Sequence, residues 1–433
     1  MNTERVTSLI AETLDPLSSA WPRKSGRVLL VLSERQRLWD KVAPLAQIVY
    51  AALIARHWQV AVVIARYPGE QALSDEERAQ LLPTIPTESF IDTTEFHQIT
   101  IGEVPADIVR AACGGLIEDP LPLTLPELFS SETWDGVINL EAVVPNDLLG
   151  FTGPPQNRWL GLAGREFLNA ATRIALLSGW ENNVANLVAP LRQCLFWADK
   201  NCWPADLPRL DIAVVWGNNF RGERAIIGYY AGVGDESYLQ AALLSRQHNV
   251  AALDEGLSRV VVLFPGLRFA SLWDVQQLLP RLVMSLAEGG ELILLAPGIE
   301  HLAGDDAPLA VFRRTGYLGA AELRERQRTD AELGSEPCLA AHLIHGSTSG
   351  RARIYHALDG IDTEKQRMLN LWPSEQEDAL FRYRPGHAKV GWNITNEGER
   401  YYFIPDPTAG LWSTKKRLLN RLNEFARKSF YRD

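Results

Sequence analysis

The sequence predicts an α/β fold: two α/β domains with mostly parallel sheets. Three observations predict it. The runs RVLLVLS (27–33) and QVAVVIA (59–65) are continuously apolar, as expected of parallel strands buried on both faces. The same alternation of apolar strand and helical pattern returns near residue 258, with RVVVLFPG and then ELILLAPG. Between a third strand, WDGVINLEAVV, and the helical pattern REFLNAATRIALL lies the Gly- and Pro-rich loop PNDLLGFTGPPQNRWLGLAG. A loop in that position is where α/β proteins place ligands, because backbone N–H groups and a helix N-terminus converge there.

Taken in order, residues 4–14 read as a short amphipathic helix and residues 40–57 as a second, with Val42, Leu45, Ala46, Val49, Leu53 and Ile54 on one side. Strand, helix and strand over 27–65 make a βαβ unit. Ser74 and Glu77 have the spacing of a capping box opening the next helix. Residues 80–132 show no clear period and read as short strands and connections. Helices are expected over 165–179 and 183–200. Strands 210–216 and 224–230 flank GNNFRGE and read as a hairpin. GVGDES precedes a long helix but lacks the Lys of a phosphate loop. In the second half, LWDVQQLLPRLVMSLAEGG reads as one helix, residues 320–333 as a highly charged helix, CLAAHLIHG as an apolar helix and ARIYHAL as a strand. The expected division is 1–255 for the first domain, 256–411 for a smaller second domain, and 412–433 for a basic amphipathic C-terminal helix. That last segment carries Lys415, Lys416, Arg417, Arg421, Arg427, Lys428 and Arg432. It suits either docking on an acidic body or a membrane or partner surface.

A length of 433 residues suits about two or three domains. The net charge of −10 argues against a general nucleic-acid binder. Cys113, Cys194, Cys202 and Cys338 are far apart and form no CxxC pair, so neither a disulfide framework nor a structural zinc site is expected. No signal core opens the sequence and no apolar run is long enough to span a bilayer. These features suggest a cytoplasmic protein.

The order of elements and several phrases resemble the nickel-pincer lactate racemase family. The loop at 145–164 is similar to that family's pH-x-x-x-G-[FY]-[ST]-G-G-x-K-x-x-x-P-G-[IL]-A-G, with Gly150, Phe151, Thr152, Gly153, Gly161, Leu162, Ala163 and Gly164 in register. IIGYYAGVGDESYLQAA, the SERQR turn after the first strand, and VVVLFPGLRFASLWDVQQLL followed by EGGELILLAPGIE resemble further family segments in the same order. The resemblance implies a lactate-racemase-like pair of domains with an interdomain cleft. It also implies a pyridinium nucleotide carrying nickel, tethered to a lysine, that takes a hydride from a 2-hydroxy acid while histidines move the hydroxyl proton.

Carried over position by position, most of that chemistry has no counterpart. The tethering lysine falls on Gln156, the loop histidine (an acid/base group) on Asn146, and the nickel-ligating histidine on Thr172. The second acid/base histidine belongs where this sequence reads ARYPGEQ. Gly150 and Gly153 keep the loop's cofactor-facing glycines. The substrate cluster falls on Trp273, Asp274 and Gln277, while Arg37 and Glu34 keep the character of the first turn. An amide has neither an amine for the linkage nor a titration near neutrality, and a hydroxyl is a poor ligand for nickel.

Elsewhere, His342 and His345 share a helical pattern with His356 nearby, but further ligands for a metal are not evident. No GxSxG elbow is present. Trp159, Trp180, Trp216 and Trp273 suit either an apolar pocket or the core, and Arg37 beside Arg35 suits either an anion or a surface ion pair. Three readings stay open. One is a family member without racemase chemistry, kept as a small-anion-binding or regulatory pseudoenzyme with a partner protein or as a homo-oligomer. Another is a diverged 2-hydroxy-acid racemase or epimerase that holds the nickel-pincer nucleotide non-covalently, with Asp274, Glu34 or Asp147 as acid/base candidates. The third is an unrelated α/β protein. No cofactor or metal is expected outside the second reading.

Overall fold

The structure is a computed structural model that describes residues 1–21, 26–67, 69–92, 97–129, 133–218, 224–266, 268–304, 308–347, 350–408 and 410–418, with backbone only at 18, 19, 40, 41 and 218. Two compact units result. The first comprises Met1–Tyr67, Ala72–Gly179 and Asn183–Asn249; the second comprises Pro68–Gln71, Trp180–Asn182 and Val250–Asp433.

In the first unit, α1 (Thr3–Leu14) starts at Asn2, whose side chain accepts from the Arg5 N–H, and buries Val6, Ile10 and Leu14. β1 (Arg27–Leu32) is buried along nearly its whole length. The expected helix over 40–57 begins earlier and is irregular. A turn at Arg35–Arg37 leads into a wide π-type turn, Leu38–Val42, before the regular α2 (Ala43–Ile54). Pro44 explains the break, since its missing N–H leaves a carbonyl of the preceding turn without its usual helical donor. β2 (Gln59–Ile64) follows, and Ser74 and Glu77 form the expected capping box.

Residues 80–132 contain an antiparallel pair, β3 (Gln98–Val104) and β4 (Leu121–Pro126), joined through a short helix, Ala106–Ala112. β5 (Gly136–Ala142) is buried at every position. Next come α3 (Arg165–Ser178), α4 (Pro190–Asn201), β6 (Arg209–Asn218), β7 (Arg224–Gly232) and α5 (Asp235–Asn249). The helix expected from 183 starts only at Pro190, a residue suited to a first helical turn.

The main sheet runs β2-β1-β5-β6-β7, parallel except for the edge strand β7. The chain leaves β1 first to one side, for β2, and later to the other, for β5. The C-terminal ends of β1 and β5 therefore flank a topological switch point, the usual ligand position in such sheets.

In the second unit, β8 (Val250–Leu253) precedes β9 (Leu257–Leu263). The single helix expected over 272–290 is instead two five-residue helices, α6 (Leu272–Gln276) and α7 (Leu279–Val283), and its last residues already belong to β10 (Leu286–Ala296). Pro280 fits the first turn of α7 but not the interior of one long helix, which accounts for the division. The charged helix expected at 320–333 forms as Ala320–Thr329 and Ala331–Gly334. The unit also contains short helices at Leu309–Thr315 and Thr363–Met368, together with α8 (Pro337–Ser347), β11 (Arg353–Leu358), β12 (Trp372–Pro373), α9 (Gln376–Tyr383), β13 (Gly391–Ile394), β14 (Arg400–Ile404) and β15 (Leu411–Thr414).

The sheet order is β12-β11-β10-β9-β14-β13, parallel except for β13, and β15 pairs in parallel with β8. The basic segment expected as a helix from 412 thus opens as a strand. A helical turn occupies 415–418, and the rest of that expectation lies outside the described residues. Among the described residues no helix is long and apolar enough to cross a membrane.

Candidate functional site

A buried polar cluster occupies the switch point of the first unit. Glu34 and Arg37 stand just beyond the C-terminal end of β1, Glu141 is the penultimate residue of β5, and Tyr67 follows β2. The Arg37 guanidinium bonds to the Glu34 carboxylate, lies 3.7 Å from Glu141 and donates to the Tyr67 hydroxyl at 3.4 Å. The Gln156 amide nitrogen in turn donates to the same hydroxyl. Glu141 is wholly buried, and Glu34, Arg37 and Gln156 nearly so.

Burial governs the electrostatics. It pushes Glu141 up to about 7, with Arg37 pulling back and Glu34 adding to the rise. Neither Glu141 oxygen meets a hydrogen-bond donor in good geometry among the described residues, although the Gly153 N–H lies near enough to oppose the rise. The Tyr67 phenol is held well above its ordinary value, mainly by burial. At neutral pH the cluster thus keeps a neutral phenol and a carboxyl poised between its two states.

The loop beside it is fixed by Arg192 of α4. This fully buried guanidinium donates to the carbonyls of Phe151, Gly153 (3.2 Å) and Pro154 (2.8 Å) and lies 4.2 Å from the centre of the Tyr238 ring. Gly150 adopts φ 81°, and a Cβ there would collide with the Asn186 carbonyl oxygen. Both facts require glycine. Gly153, at φ 117°, presses against Val143 and Tyr238.

The residues expected from the sequence divide as follows. Glu34, Arg37 and Gln156 come together in the cluster, with Gly153 beside it. Asn146 is used locally: its side-chain oxygen accepts from the N–H groups of Leu148 (2.9 Å) and Leu149 (2.8 Å), fixing the turn. Asp147 is buried in that same turn, and Thr172 lies on the buried side of α3.

Trp273, Asp274 and Gln277 belong to the second unit. Trp273 stacks on His342 with ring centres 3.5 Å apart, and it leaves no room for a Cβ at Gly69. Asp274 closes a capping box with Ser271, and Gln277 donates to Glu70 at 3.4 Å. His342 also meets the Tyr317 hydroxyl at 2.9 Å; burial, with His345 adding to it, keeps its pKa well below the ordinary value. His356 pairs with Gln276 at 2.8 Å. Among the described residues no group of three His, Cys, Asp or Glu side chains is arranged to hold a metal ion. Of the tryptophans, Trp159 is core, with its indole N–H on Asp199 at 2.7 Å.

Glu141, Tyr67, Arg192 and Tyr238 were not singled out from the sequence. For Glu141 a signal existed: a glutamate in a strand whose neighbours on both faces are apolar needs a reason. The other three have none, because only the fold brings them there.

No sequence-family model matches the chain, and no curated protein matches it in sequence. Among solved structures, a protein from Thermotoga maritima superposes with a TM-score of 0.76 at 19% identity, over 96% of this chain and 99% of its own. The lactate racemase apoprotein from Thermoanaerobacterium thermosaccharolyticum superposes with a TM-score of 0.61 at 13% identity, over 94% of this chain and 92% of its own. The chain has the lactate-racemase fold. On this racemase fold, the position that the sequence resemblance gives to the cofactor tether is Gln156, and its amide nitrogen is engaged by Tyr67. The position that the same resemblance gives to the nickel ligand is Thr172. These donors do not fit a lysine-tethered nickel nucleotide.

Proposed function

We propose that this protein keeps the lactate-racemase fold without nickel-pincer racemase chemistry and serves as a small-molecule-binding or regulatory protein. The observation that carries the reading is the chain of contacts Glu34–Arg37–Tyr67–Gln156. It engages the side chain at the tether position and offers no amine for a covalent link. Arg37, the residue expected to attract a small anion, already faces two carboxylates, so an anion there competes with Glu34 and Glu141. Co-expression with nickel-pincer biosynthetic enzymes, followed by native mass spectrometry and nickel analysis, tests the reading. A lactate racemase control is expected to gain mass and nickel while this chain gains neither. A nickel-bearing adduct on this chain would refute the proposal.

A second reading has one observation in its favour. Glu141 is a buried carboxyl that titrates near neutrality, the property of a general acid or base. It replaces Glu34, Asp147 and Asp274 as the candidate for a diverged 2-hydroxy-acid racemase or epimerase. Turnover of a 2-hydroxy acid by the co-expressed protein, abolished in Glu141→Gln, is the result that would select it.

A further inference from the structure

We infer that the buried cluster around Glu141 binds an uncharged, hydroxyl-bearing small molecule of the polyol class. The inference rests on the reading that this site no longer holds the nickel nucleotide. The argument starts from the atoms the fold leaves unsatisfied. Both carboxylate oxygens of Glu141 and Oε1 of Gln156 are buried without a well-aligned hydrogen-bond donor among the described residues, and the buried hydroxyl of Tyr238 faces the Arg192 guanidinium. Each such atom costs about 1–3 kcal/mol if it stays unpaired. Several of them within one cluster therefore call for donors from outside the chain.

These atoms belong together. Arg37 reaches both Glu141 and Tyr67, Tyr67 bonds Gln156, and Tyr238 feels the charges of Glu141 and Arg192. Glu34, Arg37 and Glu141 lie at the C-terminal ends of β1 and β5, where the strand order reverses.

The character of the unsatisfied atoms selects the ligand. They are acceptors, apart from the Tyr238 hydroxyl, which can act either way, and beside them the buried Nε–H of Arg192 is a donor without a well-aligned acceptor. A metal cation or an ammonium group would bring donors or positive charge, but it would meet the guanidinium groups of Arg37 and Arg192. An anion would bring negative charge next to two buried glutamates. Hydroxyl groups supply donors without net charge, and each also accepts in return, which suits the phenol of Tyr238. Glu141 and Gln156 Oε1 then each take a hydroxyl hydrogen.

The test is calorimetric titration of the full chain with glycerol, meso-erythritol and xylitol, beside sodium acetate, inorganic phosphate and ammonium chloride. At least one polyol is expected to bind, and Glu141→Gln is expected to weaken it by about tenfold or more while the thermal melt stays cooperative. A wild-type crystal soaked with the tightest polyol covers the case in which the variant does not fold. Hydroxyl density on Glu141 would support the inference; single waters bridging Glu141 and Gln156, with no polyol, would overturn it. Binding of acetate or phosphate in preference to every polyol, or polyol binding indifferent to Glu141→Gln, would overturn it as well. A nickel adduct in the co-expression experiment would instead remove the underlying reading, so the two failures are distinguishable.

Discussion

Replacing Glu141 by glutamine removes a buried titration while nearly keeping the side-chain shape, and its effect has a definite sign. The carboxyl rises from an ordinary 4.5 to about 7 on folding. Below pH 4.5 it is protonated in both states and contributes nothing to pH dependence. Between those values the native chain holds a proton that the unfolded chain has lost, so stability falls as pH rises. Above about pH 7 both states are ionised and the full cost of the buried charge is present, roughly 3 kcal/mol. Glutamine cannot ionise. The unfolding free energy of Glu141→Gln minus that of the wild-type chain should therefore climb by roughly 3 kcal/mol between about pH 4.5 and pH 8. Urea unfolding of both proteins at matched pH values measures this difference, with tryptophan fluorescence as the probe. Other titrating groups cancel in it. An infrared difference spectrum gives an independent reading, with a carboxylic-acid band that disappears near pH 7 in the wild type and is missing from the variant. A flat difference between about pH 5 and 8 would sink the claim that Glu141 is buried and poised.

Two further substitutions probe the frame that holds the site. Gly150→Ala drives a methyl group into the Asn186 carbonyl at φ 81° and should cost roughly 3 kcal/mol, read as a lower urea midpoint; a midpoint unchanged from wild type would show that the loop follows another path. Arg158→Met removes the buried partner of Asp199 and Asp211 and should cost about 3–5 kcal/mol at neutral pH. The loss should shrink as the pH is lowered, because burial already raises Asp211 above its usual range. A loss that grows on acidification would contradict that account.

The sequence displayed the fold well where burial is uniform. β1, β2, β5, β9 and β10 are apolar runs of strand length, and such runs have few other uses. It misled at 272–290, where residues buried on every side imitate a helical period and only Pro280 hints at the division. The β3–β4 pair was illegible because β3, QITIGEV, is largely exposed and slips register between Thr100 and Gly102. Within the site, Glu34, Arg37 and Gln156 were reachable from neighbouring residues in a recognisable loop or turn. Tyr67, Arg192 and Tyr238 were not, since each comes from a different helix or strand end and carries no local pattern. Asn146 shows the opposite error: the position matched, but its side chain serves the turn rather than the cluster.

The second compact unit is assembled from three stretches of chain, two of which, Pro68–Gln71 and Trp180–Asn182, are made long before the rest. On the ribosome those stretches emerge amid the first unit and have to wait for the chain beyond Val250. Trp273 closes over Gly69, Gln277 reaches Glu70, and the Gly304 N–H bonds the Gly69 carbonyl at 2.7 Å. A fragment starting at Val250 would therefore be born without a piece of its own interior, and supplying residues 66–73 as a separate peptide is the natural way to complete it.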